Sequence, residues 1–277
     1  MEPLQYEQRG YLRENFRLFH LADNAHETFS FHYHTFHKII FLLAGRADYA
    51  IEGEHYHLQS GDCVLVGRGS IHRPEVADGD FYERMILYIS PSYLRSLTEG
   101  EDMGECFALA QQQFRYVFHV AAGDGIRELF GRLERAGIEG GFGGALLQEA
   151  LFAQLMVAVN RRVLRGDSVD AHTGDTKVLD ILHYLNTHLT DPLSIDDLAG
   201  RFYLSKYHMM RRFRAETGYS IHSYVTEKRL LLAQQLLQSG AALTDTAERC
   251  GYQDYSTFSR AYKKRFGCAP SRRPARE

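Results

Sequence analysis

Two segments in the last third of the chain are copies of one another. At an offset of 49 residues, Met209 falls on Phe258, Arg211 on Arg260, Phe213 on Tyr262 and Gly218 on Gly267. Apolar positions four apart, an arginine between them and a glycine behind describe an amphipathic helix closed by a left-handed cap. Each copy follows a shorter helical segment and a tight break: Ile195, Leu198, Ala199 and Phe202 precede the first, and Thr244, Ala247 and Cys250 precede the second. A short helix, a turn and a second helix make a helix-turn-helix. Its repetition in phase restricts the region to a two-unit helical domain, an arrangement that chance amphipathicity does not readily produce.

Flanking signals agree. Val178, Leu179, Ile181, Leu182, Leu185 and Leu189 predict a leading helix, ended at Asp191-Pro192 because proline cannot continue the hydrogen-bond ladder. Ser194, followed by Asp196 and Asp197, starts the next helix, and Ser205 caps the one after it. Ile221 to Gln238 predicts one long helix joining the two units, stopped by Ser239-Gly240, and Ser256 is expected to open the last helix.

The formal charge of −3 conceals a division. Through Asp175 the chain holds 16 Lys+Arg against 25 Asp+Glu, a net of −9; beyond it the figures are 16 and 10, a net of +6. The change falls in Arg165–Asp175, which is polar and Gly-flanked as linkers are. A length of 277 residues suits about two domains with different partners. Four cysteines (63, 106, 250 and 268) without a C-x-x-C pair exclude a disulfide framework and a thiolate zinc site. The opening MEPLQYEQRGYLREN has no apolar h-region, and the most apolar run, Ala150–Ala158, is interrupted by Gln154 and too short to span a bilayer. A cytoplasmic location with no membrane partner is therefore expected.

The C-terminal pattern resembles the AraC/XylS-type DNA-binding domain over roughly residues 176–274. The resemblance is carried by Ser194-Ile195-x-x-Leu198-Ala199, Leu204-Ser205-x-x-x-Met209-x-Arg211-x-Phe213, Gly218-x-Ser220 and Arg229-Leu230-x-x-Ala233-x-x-Leu236-Leu237. It continues in Ala247-x-x-Cys250-Gly251-Tyr252 and Ser256-x-Phe258-Ser259-Arg260-x-Tyr262-Lys263-x-x-Phe266-Gly267-x-x-Pro270. It implies that double-stranded DNA is the partner and that each second helix enters a major groove, with the grooves about one duplex turn (~34 Å) apart. By the same resemblance Ser205, Lys206, Tyr207, Met210, Arg211 and Arg212 meet the first groove, and Tyr255, Ser256, Thr257 and Arg260 the second. Arg211 and Arg260 are the expected readers of base edges, since a guanidinium pairs bidentately with guanine O6 and N7. Lys263, Lys264, Arg265, Arg272 and Arg273 are expected at phosphates, and Arg214 on a solvated face.

The first half reads as β-structure. Lys38–Leu43, Ala47–Ile51, His55–Leu58, Cys63–Val66 and Arg84–Ile89 are short β-rich runs separated by Gly/Asp/Glu turns, the pattern of a small sandwich or barrel. Alternation puts His32, His34, Phe36, Lys38, Ile40 and Leu42 on one face. Residues 25–90 resemble a cupin: His32-x-His34-x-x-x-Lys38 with Gly45 has the spacing of the first cupin motif, and Gly61, Gly67-x-Gly69-x-x-His72 that of the second. In metal-binding cupins those positions supply three imidazoles and a glutamate, which suits Zn, Fe or Ni. Here Lys38 stands at the glutamate position, Gly67 at the usual proline and Val76 at the usual asparagine. An ammonium cannot ligate and repels a cation, so no cofactor is expected, and metal on His32, His34 and His72 is the minor reading. The expectation is a small-molecule effector, an organic anion or polyhydroxyl compound, held by His32, His34, Lys38 and His72. Three histidines that merely pack in the barrel mouth are the bland alternative. Arg73, Glu83 and Arg84 are further lining candidates, His55 and His57 read as exposed, and His26 has no identifiable partner.

Ile126, Leu129, Phe130 and Leu133 predict one connecting helix, and Ala145 to Leu164 a second that is apolar almost all round. Such a helix packs against the barrel or a partner subunit; the resemblance favours a homodimer. The expected architecture is thus α+β multidomain: a cupin-like barrel over 1–120, a helical connector over 121–165, a linker over 166–175 and an all-α double helix-turn-helix domain over 176–277. The expected function is a sequence-specific transcriptional regulator, activator or repressor, whose effector shifts the presentation of its DNA-binding units. RNA polymerase is a further candidate partner. The protein is not expected to be an enzyme. The rival readings are a metal-dependent cupin enzyme with a DNA-binding tail, and a constitutive regulator whose barrel is purely structural.

Overall fold

The computed structural model describes residues 7–8, 10–23, 29–76, 81–171 and 175–272. They fall into two compact units, Gln5–Thr173 and Gly174–Glu277. His26, Arg273 and linker residues 172–174 lie outside the described residues.

The first unit has ten described strands: β1 (Glu7–Gln8), β2 (Phe16–Asp23), β3 (His32–Tyr33), β4 (His37–Ala44), β5 (Arg46–Ile51), β6 (Glu54–Gln59), β7 (Asp62–Val66), β8 (His72–Glu75), β9 (Tyr82–Ile89) and β10 (Val117–His119). They form two five-stranded sheets, ordered β1-β3-β8-β5-β6 and β10-β7-β4-β9-β2, so the expected barrel takes the form of two sheets around a common core. β4 runs centrally between β7 and β9, and Ile39 to Leu42 are buried without a break. Unbroken burial requires cover on both faces. Helices supply it on one side: Phe41 stacks on Phe130 of α3 (Gly125–Glu139) with ring centres 5.2 Å apart, and Phe16 on Phe152 of α4 (Gly144–Leu164) at 4.2 Å. Two shorter helices, α1 (Pro91–Ser96) and α2 (Glu105–Gln113), precede them.

The run from His32 to Leu42 is not one strand. Its first part belongs to β3 in one sheet and its last part to β4 in the other. Helix α4 is also less apolar in context than its sequence suggests. Leu151, Phe152, Leu155, Met156 and Val159 enter the core, while Glu149, Gln154 and Arg161 face outward. Buried Asn160 accepts from the Cys106 amide at 2.8 Å and donates to the Met103 and Met156 carbonyls, which fastens α2 to α4. The start of the linker is docked: Val169 N donates to Val117 O at 2.8 Å, and Val169 and Ala171 pack on the core. No helix of the described residues is long and apolar enough to cross a membrane.

In the second unit, α5 (Thr176–Thr187), α6 (Ile195–Arg201) and α7 (Lys206–Thr217) precede the long α8 (Ile221–Gln238), and α9 (Leu243–Arg249) and α10 (Tyr255–Phe266) follow. Ser194, Ser205 and Ser220 accept amide hydrogens as N-caps, as their residue type favours. The last helix departs from expectation. It opens at Tyr255 under an Asp254 cap that accepts from the Thr257 amide at 2.7 Å, so Ser256 is inside the first turn. The repeat is metrical: α7 and α10 both have 12 residues, their starts are 49 apart, and both close on left-handed glycines, Gly218 and Gly267. Met209, Phe213, Phe258 and Tyr262 are fully buried, which is why these four positions repeat.

Candidate functional site

One inward row of α7 and α10 is sequestered, so the other faces remain for a ligand. Tyr207, Met210 and Arg211 on α7, and Tyr255, Ser256, Thr257, Arg260, Lys263 and Lys264 on α10, are exposed, as is the cap Ser205. Lys206 is exposed and forms an ion pair with Asp196 of α6. Arg260 stays near its own helix, with Nη2 3.4 Å from Thr257 Oγ1. The solvent-facing side of each helix thus offers cations, hydroxyls and aromatic edges, the chemistry that meets phosphates and bases.

Two of the residues expected at DNA also hold ion pairs within the second unit. Arg212 turns to Asp175, the N-cap of α5, and pairs with both of its carboxylate oxygens. Arg265 turns inward, its Nε donating at 2.6 Å to the buried Glu227 of α8. Both arginines therefore hold helices together. Each stands next to an exposed basic residue, Arg211 or Lys264, which made them look equivalent in sequence.

A residue whose role the pattern did not disclose is Arg229. It donates to Leu189 O and Asp191 O, both at 2.7 Å, and to Gly251 O at 3.0 Å. One guanidinium on the joining helix thereby grips the connection ahead of α6 and the turn after α9. In sequence Arg229 is marked only as part of the family pattern and sits beside Glu227 and Lys228, with nothing to show which carbonyls it reaches.

In the first unit the structure brings His32, His34 and His72 together. Their ring centres are 4.3–5.1 Å apart, and all three are buried. β3 and β8 pair with His32 opposite His72, so two of the rings come from neighbouring strands of one sheet and His34 from the segment after β3. His32 Nδ1 lies 2.8 Å from Ser30 O, and His72 Nδ1 2.9 Å from Ser70 O. Burial holds His72 well below the ordinary histidine range, with the nearby Lys38, His34 and His32 acting in the same direction. Tyr49 stacks at 5.9 Å on His72, and its buried hydroxyl has no hydrogen-bond partner among the described atoms.

Lys38 is buried as well, its Nζ 5.9 Å from the Tyr88 ring centre. Burial, reinforced by Arg84, pulls its pKa down to about 7. Arg84 itself sits over the Tyr82 ring at 4.2 Å. The other lining candidates diverge: Arg73 lies over Phe31, while Glu83 meets His20 at 2.8 Å. His57 pairs with Asp48 in an exposed position. His37, beside the cluster in sequence, is a structural acceptor for the Arg68 amide at 3.1 Å, and burial drives its pKa to about 3.

Comparison with known proteins covers both units. Residues 17–156 match the family model described as an AraC-like ligand binding domain, and residues 198–273 match a helix-turn-helix domain. The chain is 27% identical over 243 residues to the HTH-type transcriptional activator RhaS of Escherichia fergusonii, which covers 86% of this chain and 85% of that protein. It is 26% identical over 240 residues to RhaS of Citrobacter koseri, with the same coverage. Among solved structures, an apo variant of ToxT from Vibrio cholerae aligns over 94% of this chain and 96% of its own, with 14% identity and a TM-score of 0.40.

Proposed function

The chain belongs to the AraC family of transcriptional regulators, with a ligand-binding unit and a helix-turn-helix DNA-binding unit, and from that premise we propose which residues do the reading and the sensing. α7 and α10 are the recognition helices. Arg211 and Arg260 contact base edges, Ser205, Lys206, Tyr207, Met210, Tyr255, Ser256 and Thr257 line the same surfaces, and Lys263 and Lys264 meet phosphates. The carrying observation is the repeat: matched 12-residue helices bury equivalent positions and leave Arg211 and Arg260 exposed at equivalent positions. Met210 and Tyr255 have no amide to pair with adenine, so apolar contact with thymine methyls is their part.

The effector site is the cluster of His32, His34, Lys38 and His72. It supports this reading that four polar side chains, from β3, β8, β4 and the segment between β3 and β4, are buried in the first unit without building its apolar core. An effector there acts by binding one presentation of the DNA-binding unit better than another. No catalytic step is assigned. As a DNA-directed regulator the protein would work in the cytoplasm and could act through RNA polymerase.

The chain works as a homodimer in this proposal. Ile138, Phe142, Leu146 and Leu147 form an exposed apolar group at the α3–α4 end, more than a lone surface leucine requires. The test of the whole reading is selection of bound fragments from genomic DNA by the full chain, followed by footprinting. Two protected major-groove segments one turn apart are expected; protection without sequence preference would overturn it.

A further inference from the structure

The turns of the two helix-turn-helix units close in the same way. In the first, Leu204 N donates to Ala199 O and Tyr203 N to Gly200 O; in the second, Tyr252 N donates to Ala247 O and Gly251 N to Glu248 O. Paired bonds of this kind make a Schellman motif, whose left-handed residue is by preference glycine. Gly251 meets that preference with φ +75°, as Gly218 and Gly267 do where α7 and α10 end. Tyr203 fills the same position with φ +55°. Of these four caps it alone carries a Cβ, which the left-handed conformation crowds against the following carbonyl.

Nothing within the chain offsets that strain. Tyr203 is 92% exposed, and among the described residues no hydrogen bond, ring contact or ion pair holds its side chain. The neighbouring Phe202 does the packing, with its ring centre 6.0 Å from that of Tyr184. A side chain kept in a rare conformation without contacts of its own points to a role outside the fold. Its place says which. Tyr203 stands two residues ahead of Ser205, the N-cap of α7, and the exposed Tyr207, Met210 and Arg211 follow on that helix. The first residues of a recognition helix meet base edges in the groove, so the turn just ahead of it stands at the groove wall, where the phosphates are. Tyrosine hydroxyls are among the donors that phosphate oxygens accept.

We propose that Tyr203 is a DNA-backbone contact: its hydroxyl donates to a phosphate oxygen at the wall of the first groove, and its ring packs on the adjoining deoxyribose. The inference rests on the reading of α7 as a recognition helix. The contact carries no sequence information; it sets the depth and angle at which α7 presents Arg211. It also makes the two units unequal. Gly251 has no side chain to offer, and a Cβ there would meet Thr190 O at 2.4 Å, so the second turn faces its own unit and not the DNA. The first groove thus gains a backbone contact that the second lacks.

The experiment measures affinity of the full chain for fragments selected from genomic DNA, and for the same fragments carrying single methylphosphonate substitutions. Tyr203→Gly should weaken binding at least ~10-fold and Tyr203→Phe ~3–10-fold, equally on matched and mismatched fragments. The salt slope should stay unchanged, because a phenol releases no counterion. One methylphosphonate position that weakens wild type should have no further effect on Tyr203→Phe. The melting temperature of Tyr203→Gly should not fall, which separates a lost contact from a lost fold. Arg211→Ala is measured beside it. A Tyr203→Gly variant that binds as tightly as wild type, while Arg211→Ala loses affinity and preference, would overturn the contact and leave the reading of α7 standing. No loss in either variant would overturn both. A loss in Tyr203→Gly confined to some sequences would overturn the backbone role.

Discussion

Arg229 Nη1 donates to the carbonyl oxygen of Gly251 at 3.0 Å. The contact joins the long helix α8 to the turn of the second helix-turn-helix, while the same guanidinium reaches Leu189 O and Asp191 O in the connection that leads into the first. Three carbonyls depend on one charged donor, and hydrogen bonds to charged groups exceed neutral ones. Arg229→Ala is expected to lower the unfolding free energy by roughly 3 kcal/mol, allowing for non-additivity. Arg229→Lys should recover less than half, because an ammonium lacks the fork that reaches divergent acceptors. Urea unfolding of the full chain measures both, and an unmoved midpoint in Arg229→Ala would refute the clamp.

The turns of the two units place opposite demands on one repeat position. Gly251 has φ +75°, and a Cβ there would meet Thr190 O at 2.4 Å and Thr190 C at 2.9 Å. Backbone atoms cannot swing aside, so Gly251→Ala should destabilise by about 2 kcal/mol or more. Tyr203, 48 residues earlier, has φ +55° and is 92% exposed. It bears the left-handed strain with open space around it, and Tyr203→Gly should stabilise by up to ~1 kcal/mol. Thermal melts of the two variants should shift in opposite directions; shifts of the same sign would contradict this account.

Arg211 and Arg212 are neighbours with separate tasks. Arg211 is exposed, whereas Arg212 grips Asp175. Arg211→Ala and Arg260→Ala should each cost ~1–3 kcal/mol at a specific site and relax its sequence preference. Arg212→Ala should instead lower the melting temperature and leave relative preference among sites unchanged. Footprinting titrations on matched and mismatched fragments distinguish these effects. Equal loss of discrimination in Arg212→Ala would restore it to the reading face.

How far the sequence led depended on periodicity. Met209, Phe213, Phe258 and Tyr262 announced their helices because burial repeats every turn and the unit itself repeats. β3, β8 and β10 were invisible because strands of two to four residues carry no countable alternation. The histidine spacing marked the right three rings, yet it could not say that the chain changes sheets between His32 and Lys38. The ion pairs of Arg212 and Arg265 were illegible for a related reason. A helical wheel gives a direction but not whether Asp175 or Glu227 waits there, since those partners lie 37 and 38 residues away.

The apolar group at the α3–α4 end gives an assembly prediction. Leu146 and Leu147 are 72% and 48% exposed, and Phe142 is fully exposed between them and Ile138. In a homodimer built on this group, Leu146→Glu combined with Phe142→Glu should convert the protein to monomer without lowering its solubility. Sedimentation at micromolar concentration checks this. A wild-type monomer that footprints normally would remove the dimer.

His20 on β2 sits between two carboxylates, with Nδ1 2.6 Å from Glu134 Oε1 of α3 and Nε2 2.8 Å from Glu83 Oε1 of β9. Only the protonated ring can donate from both nitrogens. Burial opposes that charge, but hydrogen bonds and charge from Glu134 and Glu83 outweigh it and raise the pKa above the ordinary 6.5. A raised folded pKa means that the stabilising contribution is fully present below about pH 6.5 and is lost as pH rises through the folded value. Above it one carboxylate loses its donor, and the tie between α3 and the β2–β9 edge loosens. The three side chains are about one-third exposed, so solvent screens part of the effect. NMR titration should find His20 above 6.5, falling toward it in Glu134→Gln and further in the double variant with Glu83→Gln. Stability measured between pH 6 and pH 8.5 should decline in wild type more than in His20→Gln. A His20 that titrates at or below 6.5 would show that burial outweighs the two carboxylates.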